Sequence, residues 1–177
     1  MVSLAWLWIL NPIQGLLNQA LALVGIGGPH WLGDPDLVLW TIVAITAWKM
    51  FGLNLILYIA GMTGIPRDLY EAASVDGASS WQQFRAITVP LLSPTILLVV
   101  VYSVIVVIQQ AFVPVQVLTQ GGPNNASNTL FYVTWEYAFR LLDTRPGAAS
   151  AAVLFVLMAI LALAAFRIGE RRVVYDR

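Results

Sequence analysis

Four polar side chains interrupt aliphatic runs that would otherwise lie comfortably in lipid: Thr46 and Lys49 within AITAWKMFGLN, and Ser103 and Gln110 within VVVYSVIVVIQQAF. An ammonium at the middle of a bilayer costs at least about 2.5 kcal/mol, so Lys49 needs a cavity, a carboxylate or a ligand beside it. Thr46, Lys49, Met50 and Leu53 share one face of a helix by their spacing, as do Ser103, Val106, Val107 and Gln110. Such groups suit the recognition of a substrate hydroxyl or phosphate. For Ser103 and Gln110 the residues leave a second reading open, hydrogen-bonding glue between helices, and Asn54 fits a packing role equally. A membrane hydrolase or transferase would need convergent acids, bases or an oriented nucleophile, and the acidic residues here fall almost entirely in loops. With no cysteine the chain has no disulfide, thiolate metal site or thiol nucleophile. The one histidine, His30, has no second ligand cluster near it and reads with Trp31 as interfacial rather than metal-binding. No GxxxxGK[ST] loop is present, so ATP is not bound that way in this chain.

The elements that must position these residues are membrane helices. A chain of 177 residues with 59% hydrophobic and 10% charged content, and a mean hydropathy of +0.80, lies outside ordinary soluble composition. Zero formal charge and scattered Lys and Arg exclude the concentrated basic surface a nucleic-acid partner requires. The pattern predicts an all-α polytopic protein with three full spans, 37–60, 91–111 and 147–166, each near the roughly 20 residues a crossing needs. Residues 1–36 supply a partial helix, an interfacial or re-entrant segment and an external loop, because Asn11-Pro12 divides an apolar stretch into pieces too short to cross. That start has no basic region and no small-residue cleavage site, so a removable signal peptide is not expected. Residues 112–146 form an external loop, with Gly121-Gly122-Pro123-Asn124 as its turn and a short helix over 130–142 carrying Tyr132, Trp135 and Tyr137 at headgroup level.

Charge sets the orientation. Arg67 and Arg85 lie within the segment 61–90, and Arg167, Arg171, Arg172 and Arg177 crowd the tail 167–177, six of the nine Lys and Arg. Two spans separate these segments, which places both on one side, and the positive-inside rule makes that side cytoplasmic. Arg140 and Arg145 lie opposite.

The segment 61–90 reads as helix, turn, helix. Pro66 suits a first helical position, and Asp68 and Glu71 put negative charge near the helix start. Asp76-Gly77 breaks the helix. Ser79 or Ser80, with Gln82 or Gln83 three residues on, has the spacing of a capping box that starts the second arm. Trp81, Phe84 and Ile87 then follow one face toward lipid or a neighbouring span. Ala72, Ala73, Ser74, Gly77 and Ala78 keep the elbow free of bulk so that another backbone can come close, and Glu71 and Asp76 offer charge to a basic partner. These residues alone leave open a plain connector whose alanines reflect helix propensity.

Glu71-Ala72-Ala73, three residues, Gly77, nine residues, Ile87, one residue, Val89-Pro90 resembles the EAA loop of ABC importer permeases. EAASVDGA with F..ITVPLLSP resembles the sugar-permease branch, the maltose and glycerol-phosphate type, with Val89 where leucine is usual. NPIQGLLNQAL, WLGDPDLVL, LTQGGPNNASNTL and the terminal RRVVY fit the same family, so the likeness covers essentially the whole chain. It implies that the elbow is a coupling helix docking on a cytoplasmic ATPase subunit through Glu71, Ala72, Ala73, Asp76, Gly77 and Ala78, with Thr46, Lys49, Ser103 and Gln110 along the sugar path. It also implies a bacterial-type inner membrane, a second permease, an ATPase pair using ATP and Mg, and an external solute-binding protein, with no cofactor in this chain. Relative to the family the upstream spans are missing, so the chain reads as N-terminally truncated. A non-transporting fragment or an assembly scaffold is the alternative to transport.

Overall fold

The structure, a computed structural model, describes residues 2–170, the side chain of Glu170 excepted; Arg171, Arg172, Arg177 and the RRVVY stretch lie outside the described residues. All regular structure among the described residues is helical: α1 (Val2–Ile9), α2 (Leu16–Leu23), α3 (Pro35–Thr63), α4 (Arg67–Val75), α5 (Ser80–Gln83), α6 (Val89–Leu91), α7 (Ser93–Pro114), α8 (Leu130–Trp135) and α9 (Thr144–Glu170). Three helical runs, Pro35–Thr63, Ser93–Thr119 and Thr144–Gly169, have the length and apolar composition to cross a bilayer. The last is apolar nearly all round and turns Phe155, Ile160 and Leu163 outward, as a helix surrounded by lipid or partner helices does.

The described residues fall into two compact units, one of residues 2–50 and 106–157, the other of residues 51–105 and 158–170. In the first, Asn11 ends α1 and its carboxamide oxygen accepts from the backbone N–H groups of Ile13 and Gln14, both at 2.9 Å, which turns the chain ahead of α2. Asn18 then closes the following loop. Its Oδ1 accepts from Trp31 Nε1 at 2.6 Å, and its Nδ2 donates to the carbonyls of Pro12 and Pro29. The core is Ile42, Val115 and Tyr132, with Phe112, Leu118 and Trp135 packed around it. Phe112 meets Phe131 and Trp135 edge-on at ring separations of 5.1 and 5.6 Å, the preferred arrangement of aromatic quadrupoles. Ser127 is fully buried and lies 2.7 Å from the Thr119 hydroxyl and 2.6 Å from the Gly122 carbonyl, which ties the loop at 120–129 to the end of the helix before it.

Tyr132 therefore differs from its sequence reading. It is 1% exposed and belongs to the core, where its ring packs against Phe112 and Trp135, so it is not a headgroup aromatic. The helix expected over 130–142 is present: α8 continues through a π turn, Glu136–Arg140, and ends ahead of Leu142, which takes a positive φ of 55°, after which Asp143 accepts from the Arg145 N–H at the start of α9.

Two further π turns were not legible in the sequence: Phe84–Thr88, between α5 and α6, and Val115–Thr119, after α7. In each, acceptance moves to the carbonyl five residues back: the Val89 N–H donates to Phe84 and the Gln120 N–H to Val115.

In the second unit, Gly61 of α3 faces Thr95 of α7. A β-carbon on Gly61 would come 2.5 Å from Thr95 Oγ1 and 2.8 Å from its methyl, so the two helices approach as closely as they do because residue 61 has no side chain.

Candidate functional site

The elbow joining α3 to α7 is built by three local devices. Pro66, with φ −60° and ψ 133°, stands as the N-cap of α4 rather than its first helical residue, and Asp68 lies in the first turn. At the other end the Ala78 N–H donates to the Ala73 carbonyl at 2.9 Å and the Gly77 N–H to Ser74 at 3.1 Å. This is a Schellman closure, and it places Gly77 at φ +80°, where a residue with a β-carbon is strained. A capping box then starts α5: Gln82 Oε1 accepts from the Ser79 N–H at 2.8 Å, and the Ser79 hydroxyl accepts from the Gln82 N–H.

The two arms are also tied to each other. Gln83 Nε2 donates to the Ser74 hydroxyl at 3.0 Å and to the Ala78 carbonyl at 3.1 Å. Tyr70 and Thr88 share a hydroxyl bond of 2.9 Å, and Thr88 is buried. Neither tie follows from helical periodicity, because the partners are 9 and 18 residues apart. Tyr70→Phe removes one tie and leaves the Thr88 hydroxyl short of a partner, a loss of about 1 kcal/mol. Amide-exchange protection over residues 67–91 should fall by roughly fivefold in that variant.

This braced hairpin presents an outer surface that is partly apolar. Val75 is 89% and Trp81 68% exposed, with Leu69 and Phe84 also outward, beside the exposed side chains of Glu71 and Asp76. Trp81 and Phe84 stack at 5.5 Å. Ile87, expected to follow them toward lipid or a neighbouring span, lies within the π turn and is half-buried. Ala72 and Gly77 are exposed, and Ala73 and Ala78 are half-buried in the closure. A β-carbon on Gly77 would meet nothing within 4 Å, so this glycine serves the backbone angle rather than internal space.

The polar residues of the spans are dispersed. Thr46 is 3% exposed and its hydroxyl donates to the Ile42 carbonyl at 2.8 Å within its own helix. Lys49 is exposed and forms no ion pair among the described residues. Gln110 is half-buried. Ser103 accepts from Asn54 Nδ2 at 3.4 Å, which joins α3 to α7, and Asn54 Oδ1 is buried without a partner among the described residues. Asn54 thus belongs with Ser103. No hydrogen bond among the described residues links Thr46, Lys49, Ser103 and Gln110 to one another.

The family described as "Binding-protein-dependent transport system inner membrane component" matches residues 1–175. The trehalose/maltose transport system permease protein MalF of Thermococcus litoralis is 34% identical over 167 residues, covering 94% of this chain and 56% of the relative. The sn-glycerol-3-phosphate transport system permease protein UgpA of Agrobacterium fabrum is 34% identical over 173 residues, covering 98% and 59%. The chain thus spans under three fifths of the length of these relatives. Among solved structures, a bacterial ABC transporter involved in import of the acidic polysaccharide alginate shares the fold, with a TM-score of 0.85 at 24% identity over 96% of this chain and 59% of that one. The alginate transporter in complex with its alginate pentasaccharide-bound periplasmic protein gives 0.80 at 26% identity, with the same coverage.

Proposed function

Because the chain belongs to the family of inner-membrane components of binding-protein-dependent transport systems, we propose that it acts as a permease subunit of an ATP-driven ABC importer for a carbohydrate, polyol or glycerol-phosphate-like solute. The observation that carries this reading is the elbow: a short helical hairpin, closed at the end of α4, capped at the start of α5 and tied between its arms, that leaves apolar and acidic side chains outward. A rigid knob of this kind suits transmission of force, since a partner that grips it moves the spans with it. In this reading Glu71, Ala72, Ala73, Asp76, Gly77 and Ala78 dock on a separate ATPase subunit that binds ATP and Mg.

Orientation follows from charge. Arg67 and Arg85 are exposed beside the elbow and Arg167 is exposed near the end of α9, which supports a cytoplasmic elbow and tail. A second permease, an ATPase pair and an external solute-binding protein complete the assembly. One structural neighbour is described in complex with a periplasmic protein holding a pentasaccharide, and this chain is proposed to receive its solute from a protein of that kind. The two curated relatives are named for neutral disaccharides and for a phosphorylated polyol. Lys49, the one charged residue in α3 beyond Asp36, is suited to a hydroxyl or phosphate of either. The family match over residues 1–175 supports transport over a role confined to scaffolding.

Uptake by the full-length permease, reconstituted with its partners, tests the path. Lys49→Met or Gln110→Leu should raise the solute KM by about tenfold, a loss near 1.4 kcal/mol, with assembly unchanged by pull-down. Lost assembly at normal KM would make these residues packing groups.

A further inference from the structure

A cleft of about 300 Å³ opens beside the loop end of α7, lined by Gln116, Gln120, Tyr132, Trp135 and Arg140, all within one compact unit. It is separate from the proposed path residues Thr46, Lys49, Ser103 and Gln110, none of which lines it. Its size is at the small end for ligand pockets and suits a single sugar ring.

The lining has a definite chemistry. Trp135 is half-buried, held edge-on against Phe112 at 5.6 Å and beside Tyr132 at 5.8 Å, so the cleft has an aromatic wall already fixed in place that needs no reordering to receive an apolar ring face. Gln116 and Gln120 lie one helical turn apart and neither carboxamide is engaged in a hydrogen bond among the described residues. Each offers a donor and an acceptor, the complement of a hydroxyl, which is also both. Arg140 Nη1 donates to Glu136 Oε1 at 2.9 Å, so the guanidinium brings further donors while its charge is matched by the adjacent carboxylate. The Glu136 carboxylate repels a phosphate or carboxylate entering the cleft, whereas a neutral hydroxyl meets no such repulsion.

We infer that this cleft is a second solute subsite that takes an uncharged polyhydroxylated ring, stacked on Trp135 and hydrogen-bonded by Gln116 and Gln120. Its place in uptake rests on the import reading above; its ligand class rests on the lining alone.

Glucose and glucose 6-phosphate, which differ only by the phosphate, are the probes, and saturation-transfer NMR on the full-length permease in nanodiscs without its ATPase is the measurement. Glucose should give a signal that falls at least fivefold in Gln116→Leu and is unchanged in Ile160→Val, on the outward face of α9, and glucose 6-phosphate should bind more weakly than glucose. Gln120→Gly, in which glycine accepts the φ of 50° at that position, gives a second reading if Gln116→Leu does not fold. A glucose signal untouched by either substitution, or tighter binding of glucose 6-phosphate, overturns the inference. If glucose binds as expected while the reconstituted complex imports nothing, the import reading fails and the subsite stands; uptake that responds to Lys49→Met with no glucose signal at the cleft gives the reverse.

Discussion

Gly77→Val should lower coupled uptake by at least about tenfold while Gly77→Asn keeps most of it. Both substitutions add bulk, and neither β-carbon would touch another atom of the chain. The difference lies in the backbone. Gly77 sits at φ +80° as the left-handed residue that closes α4, where an ordinary L-residue costs about 1–2 kcal/mol and a β-branched one is more strongly excluded, whereas asparagine enters that region readily. Valine opens the closure, frees the carbonyls of Ala73 and Ser74, and lets α4 run on past Asp76, so the knob changes shape. Transport and ATP hydrolysis measured together in proteoliposomes check this: hydrolysis that continues without uptake is the expected phenotype of the valine variant. Equal failure of valine and asparagine would mean that the partner, not the backbone, requires a glycine.

The second large effect is expected at Gly61. A methyl there would lie 2.5 Å from Thr95 Oγ1 and 2.8 Å from the threonine methyl, so α3 and α7 must separate or Thr95 must leave its rotamer. Overpacking of this kind costs about 1–3 kcal/mol. Gly61→Ala should destabilise the detergent-solubilised protein by that amount in thermal unfolding, and Thr95→Ala, which removes both close atoms, should restore the double variant to within about 0.5 kcal/mol of Thr95→Ala alone. An additive double variant would place the cost elsewhere.

The features that announced themselves in the sequence are those whose cause is local. Long aliphatic runs give the three spans, and Pro66, Gly77 and the Ser79–Gln82 pair give the elbow's ends, because caps and breakers act within four residues of themselves. The lone Lys49 stands out for the same reason. What periodicity missed depends on a partner far along the chain. Tyr70 finds Thr88, Gln83 finds Ser74, Gly61 finds Thr95 and Asn54 finds Ser103 only once the hairpin and the spans have formed. Tyr132 shows the limit in composition: an aromatic cluster near a loop looks alike whether it faces headgroups or closes a core, and contact with Phe112 and Val115 decides. The π turns escaped because one shifted acceptor leaves the hydrophobic pattern nearly unchanged.

A separate ATPase is proposed to seat on this elbow, and because these 177 residues contain no cysteine, one introduced thiol marks a unique point among them. Val75→Cys replaces the most outward apolar side chain of α4, 89% exposed. With a short bifunctional reagent in the assembled full-length complex, it should cross-link to the ATPase subunit and change yield when nucleotide is bound, whereas Asn125→Cys, in the loop at 120–129 expected on the external side, should not. Cross-linking to the ATPase from Asn125→Cys with none from Val75→Cys would contradict the assignment.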